Sequence, residues 1–148
     1  MSRLTHTDSD GRARMVDVGG KETVKRVAVA RGSVTMEPDT VRLIGDNLMK
    51  KGDVLTVAEI AGIGAAKKSA ELIPLCHNIA LDNVTVKAVT TEEGVDVEAT
   101  VRCTGRTGVE MEALTAVSVA LLTVYDMCKA VDKGMVIGGI ELISKEKG

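Results

Sequence analysis

The clearest pattern in the chain is a strict alternation. Val95, Val97, Ala99, Val101 and Cys103 alternate with Asp96, Glu98, Thr100, Arg102 and Thr104. A period of two predicts a strand with one buried and one solvated face. Val84, Val86 and Ala88 supply a partner strand, and Glu92-Glu93-Gly94 is placed to close a hairpin between the two. The β-branched stretch from Thr23 to Met36, with Val27 and Val29 alternating against Ala28 and Ala30, predicts a first strand, and Val136 to Ile143 a last one.

Helices fill the intervals. Pro38 suits a helix start, and a short helix runs to about Met49. Gly52 ends it, and Asp53 is positioned to cap a second helix from Val54 to Ile73, which Pro74 stops. Ala58, Ala61, Gly62, Ala65 and Ala66 make that helix small-sided, able to approach a neighbour closely. Thr107-Gly108-Val109-Glu110 reads as a capping box, with Thr107 as N-cap and Glu110 in the third helical position. The helix it opens runs to about Lys133, where Gly134 ends it. The order is strand, helices, hairpin, helix, strand. That order predicts an α+β fold on the ferredoxin-like β-α-β-β-α-β plan with an additional helix, an antiparallel sheet carrying its helices on one face. Residues 1–14 are polar and aperiodic and read as a mobile arm, leaving 15–148 as a single domain.

Composition changes this picture in one respect. Tyr125 is the only aromatic residue, so the core must be built from Val, Ile, Leu, Ala and Met. Such a core buries less area per residue, and a subunit interface could supply the rest. The net charge of −2 creates no field that would recruit nucleic acid, and no aromatic set is present to stack bases. The odd set of cysteines, Cys76, Cys103 and Cys128, fits no secreted disulfide framework. No apolar run is expected to span a membrane and no signal peptide is evident, so the expected location is cytoplasmic.

The candidate chemistry is scattered along the chain. Asp126 and Lys129 are three apart, on one helical face. Spacing alone favours a surface ion pair near a helix C-terminus over a carboxylate and ammonium tuned for proton transfer. Lys51, before Gly52 and Asp53, sits at a rigid corner, and taken alone is a solvated lysine. Thr104-Gly105-Arg106-Thr107-Gly108 is a glycine-rich turn into a helix N-terminus, either a plain cap or an anion site. Cys76-His77 follows Pro74, but no further Cys/His pair stands at ligand spacing, so a metal is not expected. His77 is either a satisfied turn histidine or a substrate contact. Glu112 lies fourteen positions before Asp126 on the same helix, about 21 Å along its axis. One small-molecule pocket in one chain cannot easily use both, so a site using both must be shared between two copies.

Together, Met15-Val16-Asp17-Val18, Lys51-Gly52-Asp53-Val54, LIPLCH at 72–77, TGVEMEALTA at 107–116 and YDMCKAV at 125–131 resemble the MoaC family, the cyclic pyranopterin monophosphate synthases. The resemblance covers nearly the whole chain after the arm. It implies conversion of a cyclised dihydro-GTP, supplied by a radical-SAM GTP cyclase, to cyclic pyranopterin monophosphate with loss of pyrophosphate in molybdenum cofactor biosynthesis. It implies Asp126, Lys129 and Lys51 as catalytic residues, and Leu75, Cys76, His77, Met111, Glu112 and Arg26 as substrate contacts; from the residues themselves Glu110 joins the substrate contacts and Arg106 is expected to share the anionic load. It implies a homo-oligomer, a hexamer of dimers with active sites between subunits; no metal-ligand set is evident and no cofactor is expected. The competing expectation is a non-catalytic oligomeric module that binds a purine nucleotide through the same basic residues.

Overall fold

The computed structural model describes residues 8, 9 and 11–148. His6 and most of the expected arm lie outside the described residues. The elements are β1 (Val24–Thr35), α1 (Pro38–Gly45), α2 (Val54–Lys67), α3 (Ser69–Leu72), β2 (Leu81–Thr90), β3 (Gly94–Gly105), α4 (Glu110–Cys128) and β4 (Val136–Lys147). The strands form one sheet in the order β2-β3-β1-β4, and every neighbouring pair is antiparallel. This is the expected β-α-β-β-α-β plan, with α1 to α3 in place of the first helix.

The alternation in β3 does what its period requires. Val95, Val97, Ala99, Val101 and Cys103 are buried toward the helices, while Asp96, Glu98, Arg102 and Thr104 stay exposed. In β1 the small residues face inward. Ala28, Ala30, Gly32 and Val34 are buried, and Val27 and Val29 lie on the open face beside Arg102 and Thr100. A Cβ at Gly32 would come within 2.9 Å of Leu121 Cδ1, so the glycine makes room for α4 to seat a fully buried leucine on the sheet. At Gly62 of α2 a Cβ would lie 2.9 Å from the carbonyl oxygen of Ala116. Small residues therefore set both helix–sheet and helix–helix distances, which is how an aliphatic core without aromatic rings reaches dense packing.

The last strand runs on past Ile143 to Lys147, and four helix boundaries also differ from expectation, each for a local reason. The first helix stops at Gly45 rather than near Met49, because Asn47 adopts a left-handed conformation (φ 54°) and Leu48 N–H closes back on Leu43 C=O at 2.8 Å. The second breaks at Lys68, where the buried Ser69 hydroxyl donates toward the carbonyls of Ala65 and Ala66 at 3.4 and 3.1 Å. The capping box does not form. Val109 is the N-cap, and Glu110 is the first helical residue with its carboxylate folded over Gly108, so Thr107 lies too far upstream to cap. Finally, α4 ends at Cys128, five positions before Lys133, where the side chain of Asp132 captures donors from α1 and from Gly134. α4 is also long and apolar enough, by length and composition, to cross a membrane, contrary to expectation. Here it is the central core helix, packed on β1, β3, β4 and α2.

Candidate active site

The corner at Lys51 is built by Gly52, whose φ of 101° is open to glycine at little cost, and by the Asp53 carboxylate, which accepts from Thr56 N–H at 3.2 Å to cap α2. That corner aims Lys51 at the last turn of α4. Its Nζ lies 2.9 Å from Asp126 Oδ2 and donates toward the Asp126 carbonyl at 3.4 Å. Lys129 Nζ lies 2.8 Å from the other carboxylate oxygen. The carboxylate is thus forked between two ammoniums, one from its own helix and one from 75 residues away. All three side chains remain about half exposed, open to an incoming anion. Hydrogen bonding from Lys129, then from Lys51, holds the Asp126 carboxyl down at about 2, and Asp126 in turn raises the Lys129 ammonium. The cluster therefore sets one carboxylate, held below its usual range, between two ammonium groups.

At the opposite end of α4 the chemistry is inverted. Glu112 is 3% exposed, and burial raises its pKa. Cys76 donates to Glu112 Oε2 at 3.5 Å, while Oε1 is buried without a hydrogen-bond partner among the described residues. Burial, then the neighbouring Glu112 charge, pushes the Cys76 thiol up to about 11. An orphaned buried carboxylate oxygen is costly unless it is protonated or meets a donor. His77 Nε2 meets the Val16 carbonyl, which ties the Met15–Val18 stretch to the half-buried loop of Leu75, Cys76 and His77. Met111 stands exposed beside Glu112.

The remaining candidates lie around that same end. Arg26 Nε donates to the Gly105 carbonyl at 3.1 Å, and Arg106 is exposed in the turn that follows. Arg26 and Glu110 line a cavity of about 490 Å³ together with Lys21 and Lys145, and Lys145 Nζ approaches Glu110 at 4.0 Å. The candidates thus form two groups. Lys129 and Lys51 both contact Asp126 at one end, and Cys76, His77, Glu110, Met111, Glu112, Arg26 and Arg106 surround the other. Because α4 is unbroken from Glu110 to Cys128, the groups are about 21 Å apart along it. Lys21 and Lys145 escaped the sequence argument because lone exposed lysines carry no spacing signal. Among the described residues no group of three His, Cys, Asp or Glu side chains is arranged to hold a metal.

Comparison with known proteins adds an independent line. Residues 15–148 match the sequence model of the MoaC family. The chain is 60% identical over its full length to a cyclic pyranopterin monophosphate synthase of Novosphingobium aromaticivorans, covering 94% of that protein. It is 59% identical to one of Chloroflexus aggregans, covering 91% of it. It is also 59% identical, over 99% of its length, to a segment making up 26% of the Drosophila melanogaster molybdenum cofactor biosynthesis protein 1.

Proposed function

The chain belongs to the MoaC family, and from that premise we propose that it is a phosphorus–oxygen lyase that converts (8S)-3',8-cyclo-7,8-dihydroguanosine 5'-triphosphate to cyclic pyranopterin monophosphate and pyrophosphate. The substrate comes from a radical-SAM GTP cyclase, and the enzyme works as a soluble cytoplasmic homo-oligomer, a hexamer of dimers. The observation that carries the reading is the fork of Lys51 and Lys129 on Asp126, because a reaction that expels pyrophosphate needs pre-positioned positive charge where the oxyanion develops.

In closing the cyclic phosphate, a sugar-derived hydroxyl oxygen attacks the α-phosphorus, the bond from that phosphorus to the bridging oxygen breaks, and the electron pair leaves with pyrophosphate. Lys51 and Lys129 bind the phosphates as ammonium ions and stabilise the departing oxygen, and the attacking hydroxyl's proton passes to the Glu112 carboxylate. Asp126, held near 2, keeps both lysines aligned before substrate arrives and does not itself serve as base. Glu112 supplies the proton-transfer capacity that Asp126 lacks, since burial moves its pKa toward the working range. Cys76, which donates to Glu112, and the adjoining His77 orient the base-derived ring, together with Leu75, Met111 and Glu110. Arg26 and Arg106 meet phosphate.

Since the two groups sit at opposite ends of one rigid helix, a complete site takes Glu112 from one subunit and Asp126 from another. Exposed Leu122 on α4 and Ile60 on α2 provide apolar surface on the helical layer for such a contact. Incubation with enzymatically prepared cyclised dihydro-GTP, followed by detection of the pterin and pyrophosphate, tests the function. Saturable binding without pyrophosphate release would instead support a nucleotide-binding module.

A further inference from the structure

Asp132 is a buried carboxylate that the chemistry above does not use. It is 5% exposed and accepts three hydrogen bonds: from Glu37 N–H at 2.9 Å and Thr40 Oγ1 at 2.8 Å, both on Oδ2, and from Gly134 N–H at 3.0 Å on Oδ1. Its own N–H donates to the Cys128 carbonyl at 3.2 Å, which fastens it to the end of α4. Glu37 and Thr40 belong to the first turn of α1, the helix that leads into the Lys51 corner. No ion pair to Asp132 is formed among the described residues, so three neutral donors carry the buried charge. The hydrogen bond from Glu37 N–H outweighs the cost of burial and, with those from Thr40 and Gly134, lowers the Asp132 carboxyl below its usual value, so the charge is held firmly beside the end of α4.

We propose that Asp132 is a positioning residue for the Lys51–Asp126–Lys129 cluster, pinning the start of α1 to the C-terminal turn of α4 so that the segment from Glu37 to Lys51 is held at both ends by that one turn. The proposal rests on the reading that this cluster is catalytic. At the far end of the segment Lys51 reaches Asp126 Oδ2 at 2.9 Å, and at the near end Asp132 holds Glu37 and Thr40. In between, Met49 is buried and Gly52 N–H closes on the Met49 carbonyl at 2.9 Å, so the segment is a braced strut rather than a free loop. Lys133 Nζ donates to the Lys129 carbonyl at 2.7 Å and closes the same turn. Release of the Asp132 end lets Lys51 move relative to Lys129. A displacement of about an ångström at a reacting group costs on the order of a hundredfold in rate, and a partial release correspondingly less.

The test compares the full-length assembled protein with its Asp132→Asn and Thr40→Val variants. Asp132→Asn turns an acceptor into a donor facing other donors; Thr40→Val removes one donor and keeps the shape. For Asp132→Asn the expected result is a fall in kcat of about tenfold with KM within about twofold. The Asp126 carboxyl, followed by carbon NMR through a pH titration, is expected to shift its midpoint upward as Lys51 loses its fixed place. Thr40→Val is expected to move both readouts in the same direction by less. If both variants melt at lower temperature but leave the Asp126 titration and kcat as in the parent, Asp132 is a structural cap and the proposal is overturned. If Asp132→Asn does not fold, Thr40→Val decides on the same readouts. Should the parent protein turn over no substrate, the proposed function falls, while the titration still decides whether Asp132 positions the cluster.

Discussion

Two glycines two positions apart on α2 are expected to respond to the same substitution with opposite signs. Gly62 is buried against α4, and a Cβ there would lie 2.9 Å from the Ala116 carbonyl oxygen and 3.1 and 3.2 Å from the two methyls of Val86. Val86 can rotate, but the backbone of α4 cannot move without shifting the helix that carries both candidate clusters. At Gly64 a Cβ would meet nothing within 4 Å. In a helix interior, Gly→Ala stabilises by about 0.8–1.0 kcal/mol. Gly64→Ala should realise most of that gain, whereas Gly62→Ala adds an overpacking cost of about 1–3 kcal/mol. The net for Gly62→Ala is then about 1 kcal/mol of destabilisation, and the two variants should differ by about 2 kcal/mol. For a chain of this size that difference is about 4–8 °C in melting temperature. With one tyrosine and no tryptophan, far-UV circular dichroism during urea unfolding is the suitable probe. Equal stability in the two variants would refute the claim that small residues set the α2–α4 distance.

Three further expectations concern the candidate site. Lys129→Ala should abolish turnover while leaving the assembly and its melting temperature close to the parent, since the lysine is half exposed; near-normal product formation would contradict its role. Glu112→Gln should stabilise the protein near pH 8. A carboxyl whose folded pKa is raised costs stability once pH exceeds its unfolded value of about 4.3, so the gain should shrink and vanish as pH falls toward 4. A gain unchanged between pH 4 and pH 8 would mean that Glu112 is not perturbed. Asp132→Asn should lower kcat with little change in KM, as measured by steady-state kinetics on the assembled protein.

Much of this architecture is legible in the sequence because the signals are local. Period-two alternation in β3 and the Glu92-Glu93-Gly94 turn specify the hairpin, and the Asp53 cap and the small residues of α2 announce a helix that packs closely. Illegible features depend on partners distant in sequence or on competition between nearby caps. The early end of α4 depends on Asp132 finding Thr40, 92 residues away. The Thr107 capping box fails because the helix begins two residues later, with Val109 as N-cap and Glu110 first rather than third, a shift that pattern alone does not resolve. Spacing pairs Asp126 with Lys129, yet the second ammonium comes from Lys51, which by itself reads as an ordinary solvated lysine. The burial that perturbs Glu112 and Cys76 is likewise a product of tertiary packing; their positions in the sequence mark them as candidates but do not show that they meet.

The claim that one active site takes the Glu112 end of one subunit and the Asp126 end of another is tested by co-expressing Glu112→Ala chains with Asp126→Ala chains. Each variant alone should be inactive. A mixed pair of subunits contains one site with both wild-type residues and one site lacking both. Random pairing of equal amounts should therefore restore about a quarter of wild-type turnover, as the two-fold arrangement requires. Mixed assemblies that form in the expected proportion and recover no activity would show that both ends are needed within the same chain, and the shared site would be wrong.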